Sequence, residues 1–516
     1  SSDLLGMSPA PAVADDSGPR SWNGAVRPEA SAARLFSPDV KAASAFRANG
    51  FCAVAAYPAS GILRGEGAVI LTGDGGAKDL VIADRAGQSF TLEPSGSGYP
   101  QALMGRIALI RQTLLDARWY ARAWEAYRAS PSGQKQPEIN LSLAALGPCA
   151  NGTAPAVMKA PTVLDIFRAA AIAREFGLDL RVVGAGTEFE RIEGIAKAGV
   201  KLIVPVDFPE PPEVTPEGPS LAALRRWDFT PENPARLERA GIRFAFTSHG
   251  MKKPEDFLKN VRIAVARGLS RDAAIRALTV TPASFLGAPR LSGTLEPGML
   301  ANVIVADGDL FEEKTKILDV WVAGKRYEVT AVPEVESRGT WTLSGGPGGA
   351  LGGFALEIGG EAASPSSKVF RTEKKDKKIP AAKTALDARL LTVAFAGDSL
   401  GIPGMVRLDG IIEGGAMSGR GVWTDGVSFR WDSRLTEPWT AKPDTAKKTP
   451  PGPAEFKVVF PEGPFGREAP PEQPAVLLIR NATVWTCGPK GIIKSGDILV
   501  RKGKIADVGA RLSAPE

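Results

Sequence analysis

One histidine, His249, stands in a chain of 516 residues that also holds 57 aspartates and glutamates and 3 cysteines. Chemistry that needs an imidazole has a single place to come from. A hydrolytic zinc centre takes three protein ligands, mostly imidazoles or a carboxylate, and leaves a fourth position for water. One histidine cannot build the His-rich version. A Ser/His/Asp triad would have to use His249 as its base, and the adjacent Ser248 is a poor nucleophile for it because neighbouring strand residues face opposite sides. Cys52, Cys149 and Cys487 are far apart with no CxxC spacing, which indicates neither a disulfide framework nor a thiolate metal site. No P-loop or HExxH occurs. Asp207 in VPVDFPEPPE and Glu188 in GTEFERI sit at the ends of apolar strands, where barrel enzymes hold active groups. Helix capping or loop solvation accounts for either one taken alone.

The composition bounds what surrounds these residues. With 44% hydrophobic and 23% charged residues, the chain is long enough for two or three domains with proper cores. A formal charge of +6 is small for this length and is carried partly by short lysine clusters, so nucleic acid is not an expected partner. No run of about 18 apolar residues appears, and no membrane span is expected. The chain opens at Ser1 without Met or a charged and apolar leader. It stops at Glu516 inside a strand pattern, which leads us to expect a piece of something longer.

Residues 1 to about 40 are rich in Pro, Ala and Ser, as a surface loop or leader would be. Beyond them, helix-like stretches stop at glycine and feed short apolar strands. Ser37–Asn49 stops at Gly50 before Phe51–Tyr57, and Leu164–Phe176 stops at Gly177 before Leu180–Val183. Glu190–Ala198 stops at Gly199 before Leu202–Val206, and Pro234–Ala240 stops at Gly241 before Arg243–Phe246. Ala68–Leu71 and a helix at Gln101–Arg128 join the series. Such repetition marks parallel strands covered on both faces, and a barrel closes it. Ser270–Leu286 reads as a helix pair. Leu291–Arg326 turns to short strands broken by Gly298, Gly308 and Gly324. From Val332 to Pro474, lysine-rich segments flank LLTVAFAG, GMVRLDGII, AMSGRGVWTD and VSFRWDSRL, the pattern of an antiparallel sandwich or small barrel. Trp341, Trp423 and Trp431 there could line a carbohydrate groove, or pack as core.

The run GTLEPGMLANVIVADGD resembles the closing strands of an amidohydrolase-superfamily enzyme, and VLLIRNATVWTCGPKGIIKSGDILVRKGKIADVG, Val476–Gly509, resembles the opening strands. NGFCAVAAYPASGILRGEGAVILTG is similar to the imidazolonepropionase-like branch, with Gly65 and Gly67 letting the backbone pass close to its neighbours. The resemblance covers roughly 20–330 and 476–516. It implies two tandem units, the second beginning at Val476, whose opening strands are expected to complete the sheet made by Leu291–Arg326.

The same resemblance implies metal ligands, and each position that aligns is altered. Lys159 in VMKAPTVLDIFRAA stands where a histidine is expected, Ala185 replaces the histidine of a His-Gly-Thr-Glu strand end, and His249 in FAFTSHG replaces an aspartate. The family's paired histidines would fall at or before Ser1, and SSDLLGMSP does not supply them. Lys159 could be carboxylated to bridge two metals, as in some members, or be a plain exposed or ion-paired lysine. His249 without partners reads as a hydrogen-bonded or solvent-facing residue.

The fold class expected is α/β: a (β/α)8 TIM-like barrel with an adjoining small β-sandwich, followed by a separate antiparallel all-β domain. The expected boundaries are 1–290 for a degenerate amidohydrolase-like barrel, 291–331 for the closing strands of its sandwich, 332–474 for a β-rich linker domain and 475–516 for the opening strands of a second unit. The expected function is metal-assisted hydrolysis of non-peptide C–N bonds, of the cyclic amide type, by the whole protein. A bound metal would supply hydroxide from water near neutral pH and polarise the carbonyl. The barrel present is expected to be inactive, with no metal and no confident catalytic residue. Lys159, Asp207 and His249 are its ligand-binding candidates, a small molecule its expected partner, and zinc or another divalent metal belongs to the missing second barrel. A non-enzymatic scaffold or ligand-binding pseudoenzyme is the alternative, and a barrel keeping one metal through Lys159, His249 and Asp207 is the third reading. The residues carry no compartment signal; export, for example to the periplasm, is an expectation from proteins of similar two-unit build.

Overall fold

Glycine stops set the helix ends. The Val163–Phe176 helix starts at Thr162, whose Oγ1 accepts from the Asp165 N–H, and ends at Gly177 in the left-handed conformation (φ 59°). Ile192–Ala198 ends likewise at Gly199 (φ 65°). The Val40–Ala48 helix is capped by Asp39, which accepts from Lys41 and Ala42 N–H groups. The structure, a computed structural model, describes residues 19–94, 98–213, 218–440, 452 and 474–514. Residues 1–18, with SSDLLGMSP and the first part of the expected N-terminal loop, lie outside the described residues, as does the Lys/Pro-rich stretch 441–453 apart from Gly452. Among the described residues no helix is long and apolar enough to cross a membrane. The described residues form two compact units, one running up to Pro211 and from Arg226 through Gly452, the other from Pro212 to Arg225 and from 474 onward.

In the first unit the strands are β1 (Ala53–Ala56), β2 (Leu63–Glu66), β3 (Ala68–Leu71), β4 (Val81–Ala83), β5 (Gln88–Thr91), β6 (Pro155–Lys159), β7 (Asp179–Val183), β8 (Lys201–Pro205) and β9 (Phe244–Thr247). Six make one sheet in the order β2-β5-β6-β7-β8-β9, with β5 to β9 parallel and β2 antiparallel to β5. Register sorts the side chains. Phe90, Met158, Val182, Leu202 and Phe244 share one row across β5 to β9 and face the core with Ile166, Ala169 and Ile172 of the Val163–Phe176 helix. Each such large side chain contributes about 1.5–3 kcal/mol by leaving water. The neighbouring row, Thr91, Lys159, Val183, Ile203 and Ala245, points to the opposite face.

One expectation is met in part and one is corrected. Eight strands closing into a barrel were expected, and the described residues join six in one sheet. Phe51–Tyr57 and Ala68–Leu71 are not barrel strands, because β1, β3 and β4 form a separate antiparallel sheet. The ten or so residues between β1 and β3 are too few for the helical crossover that parallel neighbours need. This small sheet packs with β10 (Val303–Ala306), β11 (Ile317–Val322) and β12 (Lys325–Glu328). Ile317, Val320 and Val322 share a core with Phe46, Val54, Ile70 and Leu71. Arg47, 6% exposed, ties the layers: its guanidinium donates to the Thr72 carbonyl, pairs with Asp74 at 3.4 Å and lies 4.0 Å over the Tyr327 ring. The glycines near β2 do what close approach requires. A Cβ on Gly65 (φ 116°) would stand 2.3 Å from the Ala30 carbonyl oxygen, and one on Gly67 2.2 Å from the Tyr57 ring.

The β-rich domain is a single antiparallel sheet of nine strands, β13 (Gly339–Gly345), β14 (Phe354–Glu361), β15 (Ser364–Arg371), β16 (Ile379–Pro380), β17 (Lys383–Asp387), β18 (Leu390–Ala396), β19 (Met405–Glu413), β20 (Ala416–Val422) and β21 (Ser428–Pro438). Their order is β16-β15-β14-β13-β21-β20-β19-β18-β17. The Ser367 and Thr384 hydroxyls meet at 2.7 Å, which brings the two ends of this order together. Of the three tryptophans, Trp341 and Trp431 are buried in the domain's core and Trp423 packs against it, so they are core and not a groove. Trp431 donates from Nε1 to the Asp409 and Arg420 carbonyls, both 3.2 Å.

In the second unit β22 (Val476–Trp485), β23 (Ile492–Arg501) and β24 (Lys504–Gly509) form an antiparallel sheet. Buried Asp497 holds it, accepting from Asn481 N at 3.0 Å and Leu512 N at 2.9 Å. The expected completion of the Leu291–Arg326 sheet by these strands does not occur: β10 to β12 and β22 to β24 are separate sheets. The β1-β3-β4 sheet already supplies the apolar partner that β11 needs.

Candidate functional site

The row of half-buried Lys159, Val183 and Ile203 with buried Ala245 opens onto a cavity of about 650 Å³, a volume within the range of small-molecule sites. Its walls come from this sheet face, from β1 and from the helix pair Arg271–Leu278 and Val280–Phe285. Phe257, Leu278 and Phe285 are among its apolar lining.

Lys159 ends β6 and reaches Glu93 at 2.9 Å. Glu93 lies two residues past β5, and its N–H donates to Thr91 Oγ1, at 3.0 Å. Thr91 is the register partner of Lys159, so the parallel pairing of β5 and β6 creates the ion pair. His249 follows β9, is half-buried, and donates its main-chain N–H to Thr247 Oγ1 at 3.1 Å. Lys159 and His249 both line the cavity. Asp207 does not join them. It is exposed, one residue past Val206, whose carbonyl accepts from Asn260 Nδ2 at 2.7 Å.

Ala185 brings only a methyl group, and its N–H is committed. Glu188 Oε1 accepts from Ala185 N at 2.7 Å and Gly186 N at 3.0 Å, and Oε2 accepts from Asn233 Nδ2 at 2.5 Å. Glu188 is fully buried, and burial pushes its carboxyl above the ordinary range while these hydrogen bonds oppose the shift. A Cβ on Gly184 would stand 2.1 Å from Glu188 Oε1. Glu188 thus folds the loop after β7 and is a structural carboxylate there. Among the described residues no three His, Cys, Asp or Glu side chains converge as metal ligands. The aligned positions therefore supply one imidazole, one ion-paired ammonium and a methyl group, a donor set that does not fit a zinc centre.

Neither Cys52 nor Cys149 adds a nucleophile. Burial raises the thiols of Cys52, which lines the cavity, and Cys149 to about 12. The Tyr57 phenol is also pushed up by burial, with the Glu66 charge adding to it, and it donates to the Ala86 carbonyl at 3.1 Å. What the cavity offers is recognition by fixed donors over an apolar wall. Arg64 and Glu93 were missed from sequence. They stand on or beside β2 and β5, whose LRGE and QSFT lack a continuous apolar signal; the pairing of Lys159 with Glu93 becomes readable only once β5 is placed beside β6.

Residues 230–329 match the model of the amidohydrolase family. No curated protein matches the chain. An amidohydrolase from Thermotoga maritima MSB8 superposes with a TM-score of 0.52 at 23% identity, over 63% of this chain and 84% of the other. That likeness is one of fold. A second amidohydrolase (17% identity, 37% of this chain and 48% of the other, TM-score 0.28) and a putative prolidase from Bifidobacterium longum (15% identity, 46% and 64%, TM-score 0.27) are more remote, and no argument rests on them.

Proposed function

We propose, from an amidohydrolase-like segment at residues 230–329 and a fold shared with an amidohydrolase, that the first unit is a small-molecule-binding relative of these hydrolases that works without a resident metal. One observation carries the reading: the cavity is retained while Lys159 is ion-paired to Glu93 and the Ala185 N–H is bound by Glu188. The substituted positions are thus used for structure and leave an apolar cavity with a few polar groups at strand ends, where barrel proteins bind their ligands. Lys159 and His249 contribute to ligand binding from two sides of this cavity; Asp207 lies outside it.

The finer lineage belongs to the same proposal. The chain derives from the imidazolonepropionase-like branch, carries the start of a second unit at Val476–Gly509, and leaves metal-assisted hydrolysis of non-peptide C–N bonds to that unit. Zinc or another divalent ion would be bound there. Elemental analysis of the purified 516-residue chain and of its His249→Ala variant tests the division. Far less than one zinc per chain in both is expected. Near-stoichiometric zinc that disappears in the variant would mean that the first unit is a metalloenzyme.

A further inference from the structure

The Lys, Arg, Asp and Glu side chains on the cavity wall are of one sign. Among the described residues forty line the cavity, and none is Asp or Glu. The lining does include Arg64 and Lys159. These two stand on β2 and β6, the strands on either side of β5, and Ser89 of β5 lines the cavity between them. Both cations are held by the protein before any ligand arrives. Lys159 is held by Glu93, which is not part of the lining and occupies one of the three ammonium N–H groups, and Arg64 donates from Nε to the Gly61 carbonyl at 3.3 Å. Fixed donors lose little freedom on binding. The remaining surface is largely aliphatic and aromatic, with Val157, Val183, Ile203, Phe257, Leu278 and Phe285 among it.

We infer that the cavity binds an amphipathic carboxylate: an anionic head against Arg64, Ser89 and Lys159, and an apolar body along Val183, Ile203, Leu278 and Phe285. An anion is selected because the two cations of the wall outnumber the one carboxylate behind them, Glu93 on Lys159, and offset its lost hydration. A cation of equal size would be desolvated without a partner. This deepens the ligand-binding reading and rests on it.

Isothermal titration calorimetry of the full chain with dodecanoate, and with dodecyltrimethylammonium as the cation of matched chain, tests the inference below micelle formation. One dodecanoate per chain is expected, with the cation at least about ten-fold weaker. Arg64→Met and Lys159→Met should each weaken dodecanoate by about ten-fold, and Lys159→Arg, which keeps the charge, by no more than about three-fold. Equal binding of anion and cation would overturn the carboxylate assignment while leaving a ligand-binding cavity standing. Binding of neither would overturn the assignment, whereas stoichiometric zinc in the elemental analysis would overturn the reading beneath it. If a methionine variant melts early, the anion and cation comparison on the wild-type chain still decides.

Discussion

Glu188 is the residue on which the loop after β7 depends. Its carboxylate accepts three hydrogen bonds while fully buried, so Glu188→Gln, which turns one acceptor into a donor facing Asn233 Nδ2, is expected to cost about 1–3 kcal/mol, measured by urea denaturation. A second expectation concerns pH. Burial raises the folded-state pKa of Glu188 above its ordinary 4.5, so the folded state holds the proton more tightly than the unfolded one. The contribution is fully present below the ordinary value and is lost as pH rises through the raised one. Wild-type stability relative to Glu188→Gln should therefore fall as pH is raised above 4.5; an unchanged or growing difference between about pH 4 and about pH 8 would contradict the assignment. At this scale the sequence was legible in part. Lys159 and His249 could be read as ligand-binding candidates, and both line the cavity; Glu188 could be read only as a helix cap or a solvated loop residue, whereas it is fully buried. Its actual partners, the Ala185 and Gly186 N–H groups and Asn233, could not, because Asn233 lies 45 residues away on another helix.

Elements bounded by glycine stops matched expectation closely. Val163–Phe176, Ile192–Ala198 and Asn233–Arg239 lie within a residue or two of the sequence reading. The reason is local: an amphipathic run and a left-handed terminator lie within one short window. Strands were harder. β2 and β5 are four residues each with polar members, and β1 and β3 have an apolar pattern that suits a barrel strand and a small sheet alike. Steric demand at β2 supplies a test. Gly65→Ala would drive a Cβ against the backbone at Ala30 and should destabilise by about 3 kcal/mol or more, whereas Gly133→Ala, also at positive φ but with nothing within 4 Å, should cost only about 1–2 kcal/mol. Equal thermal shifts for the two would show that the close passage at Ala30 is not felt. The Arg47 clamp makes a second. A double-mutant cycle on Arg47→Met and Tyr327→Leu should return a coupling of about 1–2 kcal/mol; a coupling near zero would show that the cation over the ring does not help to join the two layers.

At the scale of the molecule, an antiparallel β-rich domain after the α/β part was visible in composition and turn spacing. The arrangement of the small sheets was not, since which sheet covers β11 is decided by packing among segments more than 200 residues apart. The nine-stranded domain has a core drawn from residues 335–435 alone. A fragment spanning 333–440 is expected to unfold in one cooperative transition, seen by tryptophan fluorescence through buried Trp341 and Trp431. A gradual, non-cooperative change would mean that it borrows stability from the rest of the first unit. Its strand order has a further meaning. The first strand, β13, is hydrogen-bonded to the last, β21, with Gly339 opposite Pro438. The chain therefore leaves this domain about 5 Å from where it entered. Such a module resembles a cassette: it could be lifted out and replaced by a short splice without pulling apart its flanks, and the same junction is a natural place to graft a foreign domain into this scaffold.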